Sequence, residues 1–193
     1  SGLAESYDVA EDGQSVTLTL RDGIMFSDGT PIEGKDVVFS LTRASDADLS
    51  PCAGMLSCIE ELSADGNQIT ITLNQPDPTI VLMLATFNTA IVSADAFAAA
   101  SGETDQEKAQ NIAIDGFVGS GPFMMKSHQR GTLMQFGANP HYWRDGEDGE
   151  PLPYMDGINF LVIPDDATRI LKLQAGEVYA AEFIPFARVG DLE

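Results

Sequence analysis

Basic side chains are scarce in this sequence. Ten lysines and arginines stand against thirty aspartates and glutamates, a formal net charge of −20. A surface of that sign repels nucleic acid and anionic membrane and argues against partners of either kind. Its plain reading is a solvated acidic coat, because net charge governs solubility and association more than site chemistry. Long apolar runs are missing too. The longest, TIVLMLATF at 79–87, falls far short of the roughly 20 residues that span a bilayer. No secretory leader is visible. The first residues, SGLAES, carry no Met, as expected of a trimmed piece with a cloning remnant at its start.

Cysteine and histidine are equally thin. The two cysteines, Cys52 and Cys58, share the loop PCAGMLSC. A disulfide there would close a short loop and stabilise by about 2–3 kcal/mol; a pair of free thiols fits the sequence as well. Two sulfurs with no nearby His offer too few ligands for a metal site. His128 and His141 share no metal-ligand spacing and read as surface residues. The acidic loop RDGEDGE at 144–150 lacks the ladder of a calcium loop and reads as solvated. The pairs Glu60/Glu61 and Asp165/Asp166 are adjacent, and neighbours on a strand point to opposite faces, which is wrong for joint acid–base work. No metal and no cofactor is expected.

The stretch GFVGSGPFMMKSHQRG at 116–131 comes nearest to a chemical motif. Gly116 and Gly121 have Walker spacing, but Pro122 stands where the lysine must be and has no N–H to offer an anion. Gly119 and Gly121 match the first pair of a dinucleotide fingerprint, but Met124 occupies the third glycine position. Ser120 lacks the flanking glycines of a nucleophile elbow. The remaining reading is a bend at Gly119–Gly121, stiffened by Pro122, that leads Phe123–Met125 into a sheet.

With 44% apolar residues over 193 positions, the chain can bury a substantial core. Two hairpins are expected, one turning at Asp12-Gly13 and one at Asp65-Gly66. Period-two alternation puts Val16, Leu18 and Leu20, and then Ile69, Ile71 and Leu73, on single faces. Helices are expected over 34–44, with Val37, Val38 and Leu41 inward, and from Ser93 as N-cap. TIVLMLAT is expected to be buried. The polar stretch 101–112 reads as a linker or loose helix and marks a boundary. Beyond it, strands are expected at GPFMMKS, TLMQFGA and INFLVI. A helix is expected over DDATRILKLQAG, with Asp165 as N-cap, Ile170 and Leu171 inward and Gly176 as terminator. The fold class is α+β, with an accessory subdomain at 1–112 and part of a further lobe at 113–193.

In this order, several segments resemble the extracellular solute-binding proteins, family 5, the peptide, oligopeptide and nickel receptors of ABC importers. LRDGIMFSDGTPI followed by DVVFS is the most specific part; GSGPF, ANPHYW and IPDDATRILKLQAGEV follow with matching spacing. The resemblance implies a type II periplasmic-binding-protein-like fold. It also implies that this chain is a fragment lacking the second lobe of a receptor that closes on its ligand. A periplasmic or extracellular location, a monomer, a peptide or related small solute, and membrane permease subunits as partners are implied with it. Carried over from the family, Ser50, Pro51, Cys52, Ala53 and Gly54, and Phe183, Ile184 and Pro185, face the ligand. Tyr142 and Trp143 belong to a structural corner anchored by Trp143. Two departures stand out. Glu33-Gly34 replaces a better helix cap, leaving Asp36 to compensate in part, and Tyr179 replaces an Asp whose polar contact is lost or rerouted. The competing class is a hydrolase using Ser120 or an acidic pair.

Overall fold

The computed structural model describes residues 2–115 and 117–192; Gly116 lies outside them. The alternating segments form the centre of the first sheet. Strand β1 (Ala4–Val9) pairs antiparallel with β2 (Ser15–Leu20), and β3 (Ile59–Asp65) with β4 (Gln68–Leu73). The hairpins join through β2 and β4, with Val16 opposite Ile71 and Leu18 opposite Ile69, which gives the order β1-β2-β4-β3. Because paired residues share a face, the apolar sets of the two central strands merge into one surface.

Helix α1 (Gly34–Ser45) covers that surface, burying Val37 and Leu41 beside Ile24, Phe26, Ile32, Leu56, Leu73 and Ile80. Val38 is only half-buried. The approach is close at its first residue: a Cβ on Gly34 would lie 2.6 Å from the Ala64 Cβ and 2.8 Å from the Gly66 carbonyl oxygen. The N-terminus of α1 is held by Asp36, which is 1% exposed and accepts the Glu33 N–H at 2.9 Å. Its other oxygen accepts the Ala94 N–H, also at 2.9 Å, at the start of α3 (Ala94–Ala99). Asp36 thus compensates for the weak Glu33 cap and also ties two helices together. Ser93 caps α3 by accepting the Ala96 N–H at 3.1 Å.

One expectation needs correction here. TIVLMLAT is not buried throughout: α2 (Ile80–Met83) is a single turn in which Ile80 is buried, while Leu82 and Phe87 stand exposed. The chain turns back at once because the Thr89 hydroxyl bonds the Leu84 and Thr86 carbonyls. Of the two readings of 101–112, linker or helix, the helix holds: α4 (Asp105–Asp115) starts within it and runs past its end. Its start is a capping box: Thr104 Oγ1 accepts the Glu107 N–H at 3.2 Å, and the Glu107 carboxylate accepts the Glu103 and Thr104 N–H groups.

The second sheet is an antiparallel meander of β5 (Phe123–Gln129), β6 (Leu133–Ala138) and β7 (Gly157–Leu161). Helix α5 (Asp166–Gln174) follows. Asp165 caps it through the Thr168 N–H at 2.8 Å, and Gly176 (φ +69°) ends it. Ile170 is buried, but Leu171 is 63% exposed. The inward stripe runs through Ile170 with half-buried Ala167 and Leu173 on either side, and Leu171 is turned about 100° away from it.

Several contacts among the described residues join the two sheet regions, and half-buried Val118 also packs against the first core. The Ser27 N–H donates to the Gly119 carbonyl at 2.8 Å. The His141 ring packs beneath Gly29, whose φ is +84°. Trp143 lies against the first core, with the Arg21 guanidinium 4.4 Å from its ring centroid.

Candidate functional site

The glycine stretch has a structural role. Gly119 and Gly121 do not adopt positive φ, and the chain bends at Gly121–Pro122 before entering β5. Its carbonyls are bracketed: Gly119 by Ser27, Gly121 by the Asn139 side-chain amide at 2.8 Å, and Pro122 by the Asn139 backbone N–H at 2.9 Å. Buried Asn139 also accepts the His141 N–H at 2.9 Å. The segment therefore presents carbonyl oxygens to the protein, the opposite of an anion cradle. Among the described residues, neither a histidine nor a carboxylate hydrogen-bonds Ser120. The acidic loop is likewise engaged internally. Asp148 accepts the Tyr154 hydroxyl at 2.6 Å and the Glu150 N–H at 3.1 Å, and these donors hold its carboxyl below the usual range. His141 is exposed and His128 half-buried on β5.

Ser50–Gly54 runs from the loop after α1 into the 3-10 turn Ala53–Leu56. The Ser50 N–H donates to the Asp46 carbonyl at 2.8 Å, and the Ser50 hydroxyl accepts the Cys52 N–H at 3.2 Å. Ser50 and Cys52 are half-buried, Pro51 and Gly54 exposed, and Ala53 buried, so Ala53 supports the loop from beneath. Cys52 and Cys58 are free thiols. Burial, together with the nearby Asp77 charge, pushes the Cys58 thiol up.

Phe183–Pro185 sits after α5 and is held by Arg169. That guanidinium donates to the Ile163 carbonyl at 2.7 Å, the Pro164 carbonyl at 3.2 Å and the Phe183 carbonyl at 3.0 Å, and it pairs with Asp166. Phe183 has φ +56°, the one positive value outside glycine among the described residues, and its side chain is 87% exposed. Ile184 and Pro185 are half-buried. Tyr179 projects into solvent, and ion pairing at this edge runs through Lys172–Glu177 at 2.5 Å and Arg169–Asp166. The two candidate segments therefore rest on separate scaffolds, one on α1 and the other on α5. Sequence reasoning missed Arg169 as an organiser. The visible signal was its i+3 spacing from Asp166, the carboxylate it pairs with.

Over residues 1–190 the chain matches the profile of bacterial extracellular solute-binding proteins, family 5 Middle. The chain belongs to this family. It is 28% identical over 191 residues to the probable D,D-dipeptide-binding periplasmic protein DdpA of Escherichia coli K12, covering 99% of this chain and 35% of the relative. It is 33% identical over 193 residues to the glutathione-binding protein GsiB of Escherichia coli O157:H7, with the same coverage. Its backbone matches the periplasmic binding protein AgaA of Agrobacterium tumefaciens R10, solved with agropinic acid, at a TM-score of 0.84 and 28% identity. That match covers 98% of this chain and 36% of AgaA. The α+β architecture is thus that of the type II periplasmic binding proteins, and the chain spans 35% of the length of the curated relatives named here.

Proposed function

We propose that this chain forms part of one wall of a solute-binding protein serving an ABC importer. The bracketing of Gly119–Pro122 by Ser27 and Asn139 carries the reading, since it makes the most motif-like stretch a rigid scaffold. The family match over nearly the whole chain supports it. The solute is a peptide or similar small molecule, taken up without covalent chemistry by closure of two lobes and delivered to membrane permease subunits. The setting is periplasmic or extracellular, and the working unit is a monomer. Ser50–Gly54 and Phe183–Pro185 supply solute contacts.

The test is a thermal-shift panel of glutathione, a D,D-dipeptide and agropinic acid against the complete gene product, with isothermal titration of each compound. Saturable binding of one of them supports solute capture, and a flat response to all three counts against it. The 193-residue chain alone is expected to give no heat with the same compounds, because a cleft needs both walls. A hydrolase reading predicts esterase or peptidase turnover that disappears in Ser120→Ala. No geometry around Ser120 favours it.

A further inference from the structure

We propose that Cys52 and Cys58 form a redox switch on the turn between them: the reduced pair keeps the fold, and closing the pair as a disulfide unwinds the turn and opens the first core.

The spacing decides what the pair can do. Cys52 is the N-cap of the 3-10 turn Ala53–Leu56, and its carbonyl accepts the Met55 N–H at 2.9 Å. Cys52 has ψ 7°, and Ser57 has φ −64° and ψ −13°, so a helical path runs unbroken from one cysteine to the other. At about 2 Å of rise per residue, that path sets the two Cα atoms roughly 10–12 Å apart. A disulfide spans at most about 7 Å between Cα atoms. The bond cannot close on this backbone, and both thiols stand free.

The turn does not yield without loss. Leu56 and Cys58 belong to the first core, and Ala53 is buried beside them in the chain. Both ends are pinned. The Ser50 hydroxyl accepts the Cys52 N–H at 3.2 Å. The Asn74 side-chain amide donates to the Ser57 carbonyl at 2.8 Å, and its N–H donates to the Cys58 carbonyl at 2.9 Å. A disulfide ordinarily stabilises by restricting the unfolded chain. Here lost burial and native strain oppose that gain and reverse its sign.

The chemistry is thiol–disulfide exchange with a disulfide oxidant, of the kind that an oxidising compartment holds. The Cys52 thiolate attacks one sulfur of the oxidant, releases the other as a thiol and leaves a mixed disulfide. The Cys58 thiolate then attacks Cys52 Sγ and expels the second thiol. Two S–H bonds are lost, one S–S bond is gained, and the oxidant is reduced to two thiols. The first step needs only Cys52, which is half-buried. The second is barred in the folded chain, because Cys58 is buried, the nearby Asp77 charge opposes its thiolate, and the sulfurs cannot meet until the turn opens. Oxidation and folding therefore compete. A bond made first blocks the turn, and a turn made first blocks the bond.

The test incubates the complete gene product with 2-hydroxyethyl disulfide, with and without urea, then quenches by alkylation and maps the 52–58 peptide by mass. The folded protein is expected to stop at the mixed disulfide on Cys52. Its intramolecular bond should close about tenfold or more slower than in urea. Protein oxidised in urea and returned to buffer should show a urea midpoint lower by about 1 M or more, restored by dithiothreitol. Cys52→Ser taken through the same steps should keep its own midpoint. Leu56→Ala and the milder Asn74→Ala loosen the turn, and both should speed closure in buffer while leaving closure in urea unchanged. Equal closure rates with and without urea, or an oxidised protein as stable as the reduced one, would overturn the switch. Variants that close no faster than the native protein would overturn the turn as its gate.

Discussion

The Asp36 carboxylate accepts the Ala94 N–H at 2.9 Å with one oxygen and the Glu33 N–H at 2.9 Å with the other. One buried side chain therefore closes the N-termini of two helices. Asp36→Ala leaves both donors without an acceptor and is expected to cost about 2–4 kcal/mol, read as a lower urea midpoint. Asp36→Asn should cost less, since its carbonyl oxygen still takes one of the two N–H groups. Equal losses in the two variants would contradict this account.

Gly34→Ala tests the helix–sheet approach. Alanine favours helix, but its Cβ would stand 2.6 Å from the Ala64 Cβ. Overpacking is expected to win, with a net loss of about 1–3 kcal/mol. Gly34→Ala combined with Ala64→Gly should recover part of it, and a failure to recover in equilibrium unfolding would refute the steric explanation.

Acid should destabilise the protein through its turn and cap carboxylates. Asp77, Glu107, Asp148 and Asp165 all sit below their ordinary values in the folded state. The leading causes are, in that order, the Thr79 hydroxyl, the Glu103 N–H, the Tyr154 hydroxyl and the Thr168 hydroxyl. A lowered folded value means that the unfolded chain binds protons first. The stabilisation is thus complete above the ordinary carboxylate range and is lost as pH falls through the lowered values. The urea midpoint should fall below about pH 4, and Asp165→Ala combined with Asp77→Ala should flatten that fall. An unchanged slope in the double variant would count against it.

The thiols should differ in reactivity. Cys58 is buried with a raised pKa, whereas Cys52 is half-buried in the loop. A thiol reagent near neutral pH should modify Cys52 first and Cys58 only with unfolding, because the thiolate is the reacting form. Peptide mapping of the modified protein decides the order.

Much of the first sheet could be read from spacing. SVTLTL and QITITL alternate strictly, and that alternation told which residues share a face, while the pairing of β2 with β4 and its register came only with the structure. What the sequence hid was mostly long-range or brief. The Asp36–Ala94 bond spans residues far apart in the chain, and no local pattern announces it. The apolar content of TIVLMLATF points to buried helix but says nothing of where a chain turns; Thr86 and Thr89 decide that. The Thr104–Glu107 capping box is legible in the sequence and marks α4 as a helix, against the polarity that suggests a linker. At the candidate site, nothing in FIP signals a left-handed Phe183, since that conformation depends on a guanidinium from a preceding helix.

Trp143 comes from beyond the second sheet's central strand, yet it rests on the hydrophobic cluster of the first sheet, with Arg21 against its ring. As the only tryptophan, it makes the seam between the two regions optically addressable. Trp143→Ala should cost about 2–3 kcal/mol, with Arg21→Ala removing about 0.5–1 kcal/mol. Cleaving the chain at residue 112 would strip a lid from the first core, so the two regions are expected to melt together, and emission from that single indole would register both events as one.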